Sequence, residues 1–254
     1  VMDYIDTYSC FEEYALPQDH YSHNQVPLFV VLCFSGRRKG EEVAHVTHSL
    51  PPHVTCELHA FISEDQNHDA GFAQLCLHMI LQAKQERGEL PTRLKWWSDG
   101  GPAHFKLMQQ FLFIGTVATT YNVVVWWCFF QSCHGKLVSN TCMCQVDYTI
   151  VCMQGKGMHD GAGAWLKSAA ARAVLSGVGI GSVEEFFQFC VDTLQTNSSH
   201  SRNFTSQRFF YLVDVTTAAL YRATMSSKVT GSLKIKCTSK SSDRTGANYK
   251  IEKS

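Results

Sequence analysis

With 254 residues, 45% of them apolar, the chain can bury one sizeable core plus a small appendage. The formal net charge of zero hides a split: residues 1–100 carry 14 acidic and 7 basic side chains, residues 101–254 carry 8 and 15. This balance excludes a uniformly basic or acidic protein, and no run of about 18 apolar residues exists to cross a membrane.

In chain order, Val1 to Tyr8 reads as a strand bearing Asp3 and Asp6, and Val26 to Phe34 as an apolar strand with Pro27 at its start. The chain opens on Val inside a strand-like segment, as a fragment or a truncated gene product would. Val54 to Ile62 alternates, with Val54, Cys56, Leu58, Ala60 and Ile62 on one face, and predicts a half-buried strand. Three strands with short connections form an antiparallel meander. Asp69 is a helix N-cap, followed by Phe72, Leu75, Cys76, Met79 and Ile80 at helical spacing until Gly88. Arg93 to Asp99 is a strand that breaks at Gly100-Gly101-Pro102, and a helix is expected from about Ala103 to Phe113.

Tyr121 to Phe130 is continuously apolar and reads as a strand buried on both faces. A helix runs from Asp160 to about Leu175 and ends at Gly177. Ser182 and Glu185 make a capping box for the next helix, whose apolar face is Phe186, Phe189, Cys190 and Leu194. Arg208 to Val215 is a last strand-like segment. From Arg222 onward there are 8 basic residues against 2 acidic, an anion-seeking surface or a solvated tail. The order predicts an α/β fold with a mixed sheet flanked by helices and a basic C-terminal extension. Trp96-Trp97 and Trp126-Trp127 read as core rather than as a base-stacking platform.

The 11 cysteines lack the paired two-residue spacers of a zinc ribbon, Cys142-Met143-Cys144 with Cys152 coming nearest. No amino-terminal signal peptide is visible, so a nuclear or cytoplasmic, reducing location is expected and secretion is not. The glycosylation-like triplets at Asn197 and Asn203 then carry little meaning. A small-molecule enzyme on an unrelated α/β fold lacks support, since neither a Gly-rich phosphate loop after the first strand nor a Gly-x-Ser-x-Gly elbow is present.

A carboxylate ending a buried strand before a sharp turn is where α/β folds place reacting groups, and Asp99 stands there. Asp3 lies on the first strand and Asp160 opens a helix after the fifth. Val1-Met2-Asp3-Tyr4 with Tyr8, Phe61-Ile62-Ser63-Glu64-Asp65 with His68-Asp69, Ser98-Asp99-Gly100-Gly101 with Phe105-Lys106, and His134-Gly135-Lys136 together make a set. The set resembles a transposase-derived family with a ribonuclease H-like core of the DDE/DDD type. The resemblance covers about residues 1–177 and no single motif suffices for it.

The resemblance implies catalytic, metal-binding roles for Asp3, Asp99 and Asp160, a phosphate- or water-positioning role for His134, and nucleic-acid contacts for Lys106, Lys136 and Lys167. Its cofactor would be two Mg²⁺ or Mn²⁺ ions roughly 3.5–4 Å apart and its partner nucleic acid, DNA before RNA. Each residue also has a plain structural reading: strand residue for Asp3, turn former for Asp99, N-cap for Asp160, hydrogen-bonded histidine for His134, solvated surface for the lysines. Glu64, Asp65 and Asp69 read as a turn and a helix cap. The second function class is a catalytically inactive, domesticated or relic domain that binds nucleic acid or protein. Divalent-metal affinity separates the two.

The sequence departs from the family pattern at one place. In that pattern a His-Gly-Lys-Gly turn runs into an Asp-Gly helix start, whereas here about 20 residues separate His134-Gly135-Lys136 from Gly157-Met158-His159-Asp160-Gly161. Excising 137–156 restores the continuous motif, so this segment is read as an insertion or a retained intron. Transcripts that carry only the long form, with no codable splice boundary, would end the intron version. The expected layout is a core at 1–177, a helical and strand extension at 178–225 and a basic tail at 226–254.

Overall fold

The computed structural model describes residues 1–10, 25–36, 54–98, 105, 107–129, 158–195, 207–228, 236–238 and 248–250. The chain forms two compact units, one of Val1–Tyr4, Ser63–Cys133 and Val213–Ser254, the other of Ile5–Ile62 and His134–Leu212. Its elements run β1 (Met2–Ser9), β2 (Gln25–Gly36), β3 (Val54–Ser63), α1 (Ala70–Glu86), β4 (Arg93–Ser98), α2 (Met108–Thr120), β5 (Val124–Phe129), α3 (Met158–Leu175), α4 (Val183–Phe189), β6 (Gln207–Val213), α5 (Val215–Lys228), β7 (Lys236–Thr238) and β8 (Asn248–Lys250). Among the described residues this is an α/β fold with five α-helices, and the strands form two four-stranded sheets, ordered β1-β2-β3-β6 and β4-β5-β8-β7. No described helix is long and apolar enough to cross a membrane.

The second unit is built on the β1-β2-β3-β6 sheet. β2 and β3 pair antiparallel, with Val30 opposite Ala60 and Cys33 opposite Glu57. One sheet face, from Leu28, Val30, Leu32, Cys56, Leu58, Ala60 and Ile62, packs on Ala162, Leu166, Ala170 and Phe186 of the helices. The close approach of α3 to β1 requires Gly163, since a Cβ there would stand 2.5 Å from Ile5 Cγ2. The capping box of α4 is present, with Glu185 N–H on Ser182 Oγ at 3.2 Å and Ser182 N–H on Glu185 Oε2 at 3.2 Å. Past α4 the last turn widens into a π-helical segment, Cys190–Leu194.

β3 differs from expectation. His59 and Phe61, on the face opposite Leu58, are fully buried. β6 supplies the reason: Phe209 stacks on His59 (ring centroids 4.9 Å) and Tyr211 on Phe61 (4.5 Å). Alternation reports polarity along one strand, and it does not report a neighbouring strand's aromatic rings.

The first unit centres on β4 and β5, which run parallel, with β5 antiparallel to β8, so this sheet is mixed. Trp96 stacks on Phe113 and meets Trp127 edge-on at 5.7 Å, as core residues. Trp127 Nε1–H donates to Ser98 Oγ at 2.9 Å, which satisfies two buried polar groups at the end of β4. α2 begins and ends later than the helix expected over 103–113. Leu107 is its N-cap, and Gln110, Phe113, Ile114 and Val117 form the buried face. Asn122 then takes φ 52, a left-handed turn that delays β5 to Val124, and Val124 is exposed rather than buried. α1 starts as expected, Asp69 Oδ1 accepting from Phe72 N–H at 2.8 Å, and Gly88 ends it at φ 67. α5 lies mostly within the helical and strand extension expected at 178–225 and runs on to Lys228, into the stretch expected as a tail.

Candidate functional site

Asp3 sits half-buried on β1, in the first unit, and its Oδ1 accepts its neighbour Tyr4's N–H at 2.8 Å. Tyr4 anchors that end of the strand: its hydroxyl donates to the Asp69 carbonyl at 2.5 Å and its ring stacks on His68 at 4.9 Å. Burial pushes the Tyr4 hydroxyl's pKa well above its ordinary value, so it stays a neutral donor. Chain direction at Asp3 is thereby fixed by the residue beside it.

Asp65, Asn67 and Asp69 lie on the connection from β3 to α1. Asp65 is 3% exposed; its Oδ1 accepts from the Asn67 backbone at 3.1 Å and from the Asn67 side chain at 2.8 Å. Its Oδ2 faces Arg222 of α5 at 2.5 Å, and Arg222 Nε lies 2.7 Å from Asp69 Oδ2. Burial alone would lower the Arg222 pKa, but the two carboxylates raise it on balance. Gly71 leaves room for this arginine, because a Cβ there would meet Arg222 Cγ at 2.7 Å. The turn-and-cap reading of Asp65 and Asp69 therefore holds. Arg222, the first cation of the basic stretch, is an internal ion-pair partner and offers no open charge to an anion.

In the second unit, Asp160 is in the first turn of α3, where a negative side chain meets the positive end of the helix dipole. The helix starts at Met158, two residues earlier than expected, so Asp160 is a first-turn acid and not the N-cap. Its Oδ2 stands 3.8 Å from Nε2 of His159, whose side chain is 5% exposed against 40% for Asp160. Lys167 is half-buried two turns further along α3. Asp99, His134, Lys106, Lys136 and the segment 137–156 lie outside the described residues.

Residues 1–150 match the family described as Domain of unknown function (DUF8701). The chain belongs to that DUF8701 family. Among curated proteins and solved structures, nothing matches it. The DUF8701 match spans Asp3, Asp99, Lys106, His134 and Lys136, and ends before His159, Asp160 and Lys167. Two residues of this DUF8701 protein escaped the reading of the sequence as site candidates. His159 carried a signal, being next to a proposed metal ligand. Arg222 carried none, because its two partners lie more than 150 positions away.

Proposed function

We propose that this DUF8701 chain is a ribonuclease H-like domain, transposase-derived, that cleaves or joins phosphodiesters of nucleic acid with divalent ions. Asp3, Asp99 and Asp160 are its metal ligands, His134 positions phosphate or water, and Lys106, Lys136 and Lys167 meet the nucleic-acid backbone. The observation that carries the reading is the His159–Asp160 pair opening α3: a half-buried carboxylate beside a buried imidazole, at the helix start where the resemblance asks for the third acid. Asp3 on β1 supports it with a second half-buried carboxylate, and Asp3, His159 and Asp160 are donor types a metal ion accepts.

The donor set fits a divalent ion. Carboxylate oxygens suit Mg²⁺ and Mn²⁺ alike, whereas an imidazole nitrogen moves the preference away from Mg²⁺. Two ions, when bound, supply activation of an attacking oxygen and stabilisation of a leaving one. The chain's own contribution is to fix the carboxylates on a strand and on a helix start, where backbone geometry holds them.

Calorimetry with Mn²⁺ on the full chain, with Asp3→Asn and Asp160→Asn, tests this. Each variant is expected to bind at least about tenfold more weakly than wild type. Wild-type affinity in both folded variants would overturn the metal site. A wild-type chain that binds Mn²⁺ but leaves single- and double-stranded DNA and RNA intact would overturn the nuclease assignment.

A further inference from the structure

The second unit carries a group of titratable side chains that the proposed metal chemistry does not use. It lies on the sheet face opposite the aliphatic core. Cys33 of β2 is directly opposite Glu57 of β3, and His59, two residues on, is its diagonal neighbour on the same face. The His59 ring is fully buried, between Glu57 Oε2 at 3.2 Å from Nε2 and the Tyr211 hydroxyl at 3.0 Å from Nδ1. Cys33, Glu57 and His59 thus share one face of the β2–β3 pair, within reach of one another as cross-strand neighbours. Phe209 stacks on one side of it, so the imidazole is held in one plane.

An imidazolium there donates from Nδ1 to the Tyr211 oxygen and from Nε2 to Glu57 Oε2. Burial by itself disfavours the charged ring, but Cys33 and Glu57 outweigh burial and leave His59 more basic than an ordinary histidine. The buried cysteines contrast with this. Burial pushes the Cys10 thiol up to about 11 and the Cys190 thiol up to about 12, which keeps both neutral and inert. Cys33 is half-buried, and its diagonal neighbour across the strand pair is an imidazole held more basic than an ordinary one.

We propose that Cys33 is an oxidisable nucleophilic thiol, a modification site for hydroperoxides, with His59 as the residue that stabilises its thiolate and Glu57 and Tyr211 as positioning residues. The thiolate sulfur attacks the terminal oxygen of the hydroperoxide. The O–O bond breaks, a sulfenic acid forms on Cys33, and the departing oxygen takes a proton from the His59 imidazolium to leave as water or an alcohol. Sulfur loses two electrons and the peroxide gains them.

The inference is independent of the metal site and is tested on the full chain. Hydrogen peroxide is added at pH 7 with dimedone to trap sulfenic acid, and peptide mass spectrometry follows each cysteine. Burial alone makes a cysteine react more slowly folded than unfolded; an activated thiol does the opposite. Cys33 is expected to react about tenfold faster in the folded chain than in the chain unfolded in guanidinium, while Cys10 and Cys190 react more slowly folded. His59→Gln should remove the acceleration. Glu57→Gln, a milder change at a partly exposed position, should reduce it several-fold with the melting temperature unchanged. A folded Cys33 that reacts no faster than the unfolded one, or an acceleration that survives both substitutions in folded protein, overturns the proposal.

Discussion

Each unit of this protein holds a buried network of charged groups, and the two are finished differently. In the first, Arg222 stands between Asp65 and Asp69 at 2.5 and 2.7 Å, and the spare oxygen of Asp65 takes two donors from Asn67. Both carboxylates and the guanidinium of this group meet an opposite charge or a donor. In the second, His59 is clamped by Glu57 and Tyr211, and the residue diagonal to it on β2 is a half-buried thiol. A saturated network fixes chain geometry and offers no chemistry. A network that ends on a nucleophile near the surface can do both.

If the first network is structural, cutting it at the centre should cost most. Arg222→Met keeps much of the side-chain volume but leaves the Asp65 carboxylate, whose side chain is 1% exposed, facing no cation. Loss of about 3–5 kcal/mol is expected, because an unpaired buried charge retains its full desolvation cost. Urea unfolding followed by circular dichroism measures it. Adding Asp65→Asn should recover a large part of the loss, since the pair is then removed together. A single variant within about 0.5 kcal/mol of wild type would mean that Asp65 finds water or another partner, and the contrast between the networks would weaken.

The second network should respond more gently. Tyr211→Phe keeps the ring that stacks on Phe61 and removes the hydroxyl 3.0 Å from His59 Nδ1. A buried ring nitrogen left without that partner is expected to lower stability by about 1–3 kcal/mol. The same unfolding experiment reads it. A neutral result would place the restraint on His59 in Glu57 and the Phe209 stack instead, and would leave Tyr211 as packing only.

How much of this was legible depends on the range over which each signal acts. Local chemistry read well: Asp69 caps α1, Ser182 and Glu185 box α4, and Gly88 and Gly177 take the positive φ that ends a helix. Boundaries governed by one turn residue read less well. Asn122 at φ 52 splits what looked like one strand from Tyr121 to Phe130, and Leu107 starts α2 where no polar cap marks it. Long-range partners were illegible. Nothing near Arg222 says that Asp65 awaits it, and nothing in the alternation of β3 says that Phe209 and Tyr211 will cover His59 and Phe61. For the candidate site, the carboxylates Asp3 and Asp160 were visible from strand and helix position. The signal for His159 was its place directly before Asp160, since a lone histidine has no spacing pattern of its own.

The smallest expected effect separates capping from ion pairing at the same carboxylate. Asp69 does two things: Oδ1 caps α1 through Phe72 N–H at 2.8 Å, and Oδ2 meets Arg222 at 2.7 Å. Its side chain is 45% exposed, so the ion pair contributes little and the cap most of what a substitution removes. Asp69→Asn and Asp69→Ala divide the two roles. Asparagine still accepts from the N–H and loses only the charge, so a change of about 0–1 kcal/mol is expected; alanine loses both, for about 1–2 kcal/mol. Equal losses in the two variants would show that Arg222 needs both carboxylates. The first network would then be a three-membered unit and not a single buried pair with a cap beside it.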